Sequence, residues 1–404
     1  MYRGPCSLTL APLTLASLAT WALVVAGAVA LQGRGFATFI AVLLGVHTAS
    51  ALALADAFGE LGPLWIGLQA ATYLHFLTLA RPRMRPRWWR ALVAVPASYF
   101  VAAVFLAIPW AIAAALGLPP VGLWIPFALA GVGLVESLWT RAEIVDVVLD
   151  GVDAGAEVIP YPAGRVRRPA GGEALSIVQI TDPHLGPFMS ERRLRRICAR
   201  AVERAPDLIL LTGDFLTIES HADPELLVRA LAPLAALEGR VFACLGNHDY
   251  EAPETVLRAL RAAGATLLVD REAIVQTRAG PVQILGFDFV WRDRERHLRA
   301  VCARHPRRPG HLRLALLHDP GAFRHLPTDA VDLVFSGHTH GGQVGLVSFG
   351  LGWTVLRALS SIPDHGLWAR GRERLYVHRG TGHYGFPVRA GVPAEESLIR
   401  LHLG

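Results

Sequence analysis

The 404-residue sequence contains no lysine: all 39 of its basic residues are arginines. Together with the abundance of alanine, this reads as genome bias rather than selection for guanidinium chemistry. Cysteine is scarce too. Cys6, Cys198, Cys244 and Cys302 are scattered, at spacings that fit neither a disulfide framework nor a metal knuckle. They are expected as buried thiols in a reducing or indifferent setting. Charge is nearly missing before Arg141 outside short loops and frequent after it. That asymmetry excludes a single soluble domain and divides the chain into a membrane half followed by a soluble half.

A hydrocarbon core of ~30 Å takes about 20 apolar residues to cross. Five stretches qualify as expected spans: Leu8–Leu31, Phe36–Ala55, Pro63–Ala80, Ala91–Leu116 and Val121–Leu138. The first is too long and too poor in N-terminal positive charge for a secretory signal. Between the third and fourth, the segment Arg81–Arg90 carries five arginines, Trp88 and Trp89, which places it in the cytoplasm by the positive-inside rule. An odd number of spans then returns Arg141 and everything beyond it to the cytoplasmic face. His47 and His75 fall inside spans, where an ionisable group either serves function or bonds a neighbouring helix.

Beyond Arg141, a partly alternating segment to Leu149 fits an edge strand or an amphipathic exit from the membrane. Pro160–Gly172 reads as a linker or surface hairpin, with Arg165, Arg167 and Arg168 near anionic headgroups or simply solvated. A device then repeats: an apolar strand running into a polar, glycine-containing turn. Ser176–Thr181 leads to Asp182-Pro183-His184, Asp207–Thr212 to Gly213-Asp214, and Val241–Leu245 to Gly246-Asn247-His248-Asp249. Leu312–Leu317 leads to His318-Asp319, and Val331–Phe335 to Ser336-Gly337-His338-Thr339-His340-Gly341-Gly342-Gln343. Helical segments at Glu191–Ala205, Pro224–Leu237, Pro253–Ala263 and Asp293–Arg304 separate several of them, which implies a layered α/β domain with ligands at one sheet edge. Singly, Asp, Asn and Gly are ordinary turn residues. Five strand ends in succession that deliver only Asp, His or Asn are better explained by metal. Carboxylate, imidazole and amide oxygen suit Mn, Fe, Zn or Mg, and the missing cysteine ligands argue against a structural zinc knot. Seven such ligands are too many for one ion but fit two that share a carboxylate.

The ordered set DPH, GD, GNHD, H and GHTHGGQ resembles the calcineurin-like metallophosphoesterases, including their membrane-anchored bacterial branch, from about Leu175 to the C-terminus. The tail residues Tyr376–Gly382, Phe386–Arg389, Gly391–Pro393 and Glu395 are similar to that branch as well. The resemblance implies a four-layer αββα sandwich holding two divalent ions. It further implies that Asp182, His184 and His340 bind the first ion, that Asp214 bridges, and that Asn247, His318 and His338 complete the second. His248 would be the general acid or a transition-state donor, oriented by Asp249. Paired divalent ions can clamp phosphoryl oxygens and acidify a bridging water for in-line attack, and an imidazole beside them can protonate the leaving oxygen. Two positions depart from the pattern: Thr217 stands where some members carry a second acid, which disfavours a protein-serine/threonine phosphatase, and Pro183 replaces an apolar residue.

The expected architecture is therefore an N-terminal all-α transmembrane bundle of about five helices (1–140), a linker (141–173) and an α/β catalytic sandwich (174–404), in a bacterial inner membrane with the catalytic domain cytoplasmic. Arg379 and His383, in a glycine loop, are candidate substrate contacts, Arg379 being equally well a structural arginine. His221, His297, His305, His311, His325, His365 and His378 hold no motif position and are expected mostly at the surface. The apolar segment Val344–Leu359 either packs against the protein or forms an apolar wall or membrane-dipping lid for an acyl-chain substrate. The arginine-rich Glu191–Arg204 face could rest on anionic lipid. The expected partners are the lipid bilayer and a phosphorylated, lipid-linked phosphodiester or pyrophosphate, without nucleic acid. The alternatives are an anchored phosphodiesterase for soluble nucleotides and a non-catalytic membrane sensor or scaffold.

Overall fold

The computed structural model describes residues 10–161, 174–383, 385 and 389–403. Cys6, Arg165, Arg167, Arg168 and Phe386–Val388 lie outside the described residues. The chain forms two compact units, Met1–Leu134 and Val135–Gly404.

The first unit is helical: α1 (Leu10–Gln32), α2 (Arg34–Leu54), α3 (Gly62–Leu79), α4 (Arg87–Trp89), α5 (Val95–Leu106), α6 (Ile108–Ala115) and α7 (Trp124–Ser137), whose last turn belongs to the second unit. Among the described residues, three helical stretches are long and apolar enough to cross a membrane: Pro12–Gln32, Arg34–Leu79 and Arg87–Leu106. The middle one has 46 residues and turns at Gly59, φ 48°, between α2 and α3. Two expected spans come out shorter. The fourth ends at Leu106 because Pro109 lacks the N–H that would bond back across Ala107, and a separate eight-residue α6 follows. The fifth is reduced to the 14 residues of α7, about 21 Å of helix, because Gly122 at φ 77° stops the helix from extending toward Val121. Inside the unit, His47 Nε2 lies 3.1 Å from Gln69 Oε1, and Gln69 Nε2 donates to the Tyr73 hydroxyl at 2.7 Å. His47 thus joins a helix-bridging polar network, the helix-packing reading of that residue.

The second unit holds two sheets. β1 (Thr140–Leu149), β2 (Ile159–Pro160), β3 (Leu175–Ile180), β4 (Leu208–Leu211), β5 (Val241–Ala243), β6 (Thr266–Leu267), β7 (Arg271–Thr277), β8 (Gly280–Gly286), β9 (Leu312–Leu316), β10 (Leu333–Ser336), β11 (Gly366–Arg370), β12 (Glu373–Val377) and β13 (Ala394–Leu403) are distributed as β1-β13-β3-β4-β5-β6 and β2-β11-β12-β10-β9-β8-β7. β3, β4, β5 and β6 run parallel, as do β8, β9, β10 and β12. The strands are nearly continuous apolar runs because both faces are covered. Side chains on the inner faces, such as Ile177, Leu208, Leu210 and Phe242 of one sheet and Ile284, Leu314, Leu316, Phe335 and Tyr376 of the other, form the core between the sheets. Helices α8 (Glu191–Glu203), α9 (Pro224–Leu231) and α10 (Pro253–Ala262) bury Leu194, Ile197, Leu227, Leu231, Val256 and Leu260 on the outer face of the first sheet. On the second, α11 (Arg294–Arg304) contributes Leu298 and Val301. The result is an αββα stack.

The expected linker is corrected at its start. Of the two readings of Arg141–Leu149, an edge strand is the one observed: Thr140–Leu149 is β1, paired in parallel with β13 over its ten residues at the edge of the first sheet, so the strands of that sheet begin inside the expected 141–173 linker.

Candidate metal centre

Each expected ligand follows the C-terminal end of a parallel strand: Asp182 and His184 after β3, Asp214 after β4, Asn247 after β5, His318 after β9, His338 and His340 after β10. The parallel register aligns these ends along one rim, where open α/β sheets gather ligands. Five of these residues carry the backbone strain that aims their side chains. Asp182 (φ 49°), His184 (φ 44°), Asp214 (φ 58°), His338 (φ 67°) and His340 (φ 51°) all adopt the left-handed region, which is unfavourable for residues with a Cβ and is maintained chiefly at functional sites.

Two ligand groups result. In the first, His340 Nε2 and His184 Nε2 lie 3.5 and 3.9 Å from Asp182 Oδ1 and 3.2 Å from each other. In the second, His318 Nε2 lies 3.2 Å from both Asp214 Oδ2 and His338 Nδ1. Asp214 Oδ2 is also 3.7 Å from His184 Nε2, so one carboxylate faces both groups. The far nitrogens are held in place: His184 Nδ1 lies 3.3 Å from the Leu216 carbonyl and His318 Nδ1 2.6 Å from that of Thr212. A carbonyl at Nδ1 selects the tautomer with its lone pair on Nε2, toward the centre. Asn247, the sole asparagine of the chain, has a buried Oδ1 with no hydrogen-bond partner among the described residues. A buried amide oxygen left unpaired is costly, and a cation beside it would satisfy it.

The electrostatics favour the same occupant. Burial holds His184 down at about 3 and His338 at about 4, and drives His340 well below its usual range. All three are therefore neutral at pH 7, the form a metal requires. Burial pushes Asp182 up to about 6. His318 goes the other way: burial would lower it, but the neighbouring Asp214 raises it to about 10. Asp214 lies well below the usual carboxylate range, its burial outweighed by His318 and His184. Without an ion, the protonated His318 supplies positive charge beside Asp214; a cation in its place would displace that proton and meet the Nε2 lone pair. The donor set fits divalent ions of the borderline or hard class.

The glycines of these turns make room for the ligands. A methyl at Gly337 would stand 2.1 Å from Asp182 Oδ2, and one at Gly246 2.2 Å from Asp214 Oδ1. Gly337→Ala is expected to displace Asp182 and weaken metal binding by about 10–100-fold, the scale of lost support around a metal ligand. A manganese titration followed calorimetrically reads it.

One expected role is corrected, and the places of three other residues are decided. Asp249 does not touch the His248 ring. Its carboxylate accepts from the backbone N–H of Asp214 (2.9 Å), Phe215 (2.8 Å) and Gly246 (2.8 Å), which ties two ligand turns together. The partner of His248 Nδ1 is Glu251, at 2.7 Å. Arg379 is buried and committed to Glu143, Glu395 and the Pro393 carbonyl, which favours the structural of its two expected readings. His378, expected at the surface, is buried, and so is the candidate contact His383, which lies against Phe188 with ring centroids 4.9 Å apart. A further residue went unforeseen. Fully buried Arg389 lies 3.2 Å from His340 Nδ1 and donates to the carbonyls of Gly382, Arg379, Val392 and His340 itself.

Residues 175–342 match the family model described as calcineurin-like phosphoesterase. The chain is 28% identical over 230 residues to phosphodiesterase YaeI of Escherichia coli (strain K12), covering 56% of this chain and 81% of that protein. It is 28% identical over 280 residues to UDP-2,3-diacylglucosamine pyrophosphatase LpxG of Chlamydia muridarum (strain MoPn / Nigg), covering 56% and 83%. An uncharacterized metallophosphoesterase of Helicobacter pylori (strain J99 / ATCC 700824) is 28% identical over 235 residues, covering 56% and 60%.

Proposed function

We propose, on the premise that residues 175–342 are a calcineurin-like phosphoesterase domain and the chain a metal-dependent phosphoester hydrolase, that it cleaves a lipid-linked phosphodiester or pyrophosphate at a membrane surface. The observation that carries the metal assignment is the pair of ligand groups sharing Asp214, together with the unpaired Asn247 Oδ1. Asp182, His184 and His340 would hold one ion and Asn247, His318 and His338 a second, with Asp214 between. Bound there, two divalent ions would supply positive charge for the phosphoryl oxygens and acidify water at neutral pH.

The protein's own groups provide the rest. His248 is half-buried, its ring edge-on to His184 with centroids 5.5 Å apart, within the rim but outside the two ligand groups. Burial would lower its pKa, but the bond to Glu251 and the charge of Asp214 raise it above the usual value. A protonated imidazole beside the scissile bond can donate to the leaving oxygen, and Glu251 fixes which nitrogen faces substrate. Glu251→Gln is expected to lower kcat by about 10-fold, less than the ~10²–10⁴-fold attributed to a general acid itself. Bound metal should stay unchanged, as measured by stoichiometry beside turnover.

Two features favour a lipid-linked substrate. The first unit offers helices of membrane-crossing length, and an uncharged apolar segment begins four residues after His340. The pyrophosphatase relative acts, by its name, on UDP-2,3-diacylglucosamine, which makes that compound a rational first substrate. Manganese-loaded protein is to be assayed on it and on bis-p-nitrophenyl phosphate and soluble nucleotides. Higher kcat/KM on the lipid supports the proposal; preference for soluble nucleotides favours an anchored nucleotide phosphodiesterase instead. The proposed location is a bacterial inner membrane with the catalytic unit cytoplasmic, supported by the five arginines of Arg81–Arg90 and requiring α7 to return the chain. A fluorescent protein fused after Gly404 should glow if the placement is right, and a periplasmic alkaline phosphatase fusion should be active if it is wrong.

A further inference from the structure

From Val344 to Leu356 the chain carries no charged residue. The segment is a hairpin: Gly345 bridges Thr354, and Leu346 N–H donates to the Trp353 carbonyl at 2.9 Å. Its tip, a short turn at Val347–Phe349 followed by Gly350 at φ 77°, leaves Phe349 75%, Leu351 55% and Trp353 48% exposed. A soluble surface seldom concentrates large apolar side chains on one projecting loop.

Two sets of contacts show what that loop joins. At its base, Gly342 comes so close that a methyl would stand 2.8 Å from Leu356 Cβ. Thr339, between the ligands His338 and His340, donates to the Asp364 carbonyl at 2.6 Å, while the Asp364 carboxylate takes Arg357 at 2.9 Å and the Thr354 hydroxyl. The hairpin base is thereby locked to the rim of the metal centre. Along its edge, Gly345 N–H donates to the Ala390 carbonyl and Ser348 N–H to that of Gly391, both at 2.9 Å. Gly391 N–H in turn donates to Glu136 Oε2 at 2.6 Å. Glu136 lies in the last turn of α7, beside Leu138 and Trp139, the latter 72% exposed, where the apolar helices give way to the second unit. Arg193 of α8 holds the same turn from the other side, donating to the Ser137 carbonyl at 3.2 Å.

We infer that the Leu346–Trp353 hairpin is an interfacial membrane anchor: it seats Phe349, Leu351 and Trp353 in the headgroup boundary of the bilayer and fixes the rim of the metal centre at that depth. Aromatic and aliphatic side chains on a turn without charge are the composition that partitions to this boundary. Continuity with the exit of α7 selects the bilayer, rather than a second copy of the chain, as the occupant. A phosphoester at headgroup depth then reaches the metal centre without its chains leaving the membrane. The inference rests on the membrane-anchored reading above and not on which lipid is hydrolysed.

The test uses the full chain in nanodiscs of phosphatidylcholine and phosphatidylglycerol, doped with a phosphatidylcholine that carries a diazirine high on one acyl chain. After photolysis, peptide mapping should find adducts on residues 346–353 at a level comparable to the end of α7. The double substitution F349E/W353E should reduce those adducts by about 10-fold. It should leave hydrolysis of bis-p-nitrophenyl phosphate unchanged, which certifies the fold. Adducts confined to residues 12–137, equal labelling of the variant, or cross-links from the hairpin to a second copy would each overturn the inference. The wild-type map alone decides the matter if the variant does not fold. Labelled hairpin with no preference for lipid substrates would contradict the substrate proposal and leave the anchor standing.

Discussion

Asp214→Ala should abolish turnover and metal binding together. The carboxylate faces both ligand groups, 3.2 Å from His318 Nε2 and 3.7 Å from His184 Nε2, and its other oxygen accepts the His248 backbone N–H at 2.9 Å. Removing it takes away the carboxylate that faces both ligand groups and the hydrogen bond that holds the His248 turn. Activity should fall by at least about 10³-fold, the upper range for deleting one group that stabilises transition-state charge. Metal content after manganese loading should fall with it. Fold is expected to persist, because the strand β4 behind the turn is fully buried among apolar residues; far-ultraviolet circular dichroism checks this. Full metal content in an inactive variant would mean that Asp214 is not shared between ions.

His248→Ala should separate what Asp214→Ala joins. His248 stands beside the ligands without belonging to either group, so its loss should leave the ions bound and reduce kcat by about 10²–10⁴-fold. The deficit should shrink for substrates whose leaving group is a weak base. With p-nitrophenolate, which departs without a proton, the loss should be far smaller than with an alcohol leaving group. Equal losses on both would assign His248 to charge stabilisation instead of proton donation.

How much of this was legible in the sequence follows from what fixes each feature. The turns were readable as candidate ligand turns because metal chemistry restricts the residue types and the parallel sandwich restricts their place; choosing Asp182, His184, Asp214, Asn247, His318, His338 and His340 among the Asp, His and Asn residues at those strand ends took the family resemblance. The partner of His248 is Glu251 and not Asp249, the residue that the family resemblance implied. His248–Glu251 is a 3₁₀ turn, in which side chains three apart eclipse and neighbours diverge, so Glu251 takes the imidazole and Asp249 turns inward. Arg379 was ambiguous because its carboxylate partners lie on β1 and β13, and Glu143 is separated from it by 236 residues; no local pattern reports such a pair. The same holds for Arg389 beside His340. Hydropathy found the apolar stretches of the first unit but not where helices stop. Pro109 and Gly122 interrupt runs that are apolar throughout, so single backbone-restricting residues, which hydropathy does not weigh, set those ends.

The sandwich rim is expected to bind two cations through one shared carboxylate. Diffraction from manganese-loaded protein at the manganese absorption edge tests it most directly. The expected anomalous map holds two peaks, one among Asp182, His184 and His340, the other among Asn247, His318 and His338, with Asp214 touching both. A single peak, peaks away from Asp214, or none at all would contradict the account.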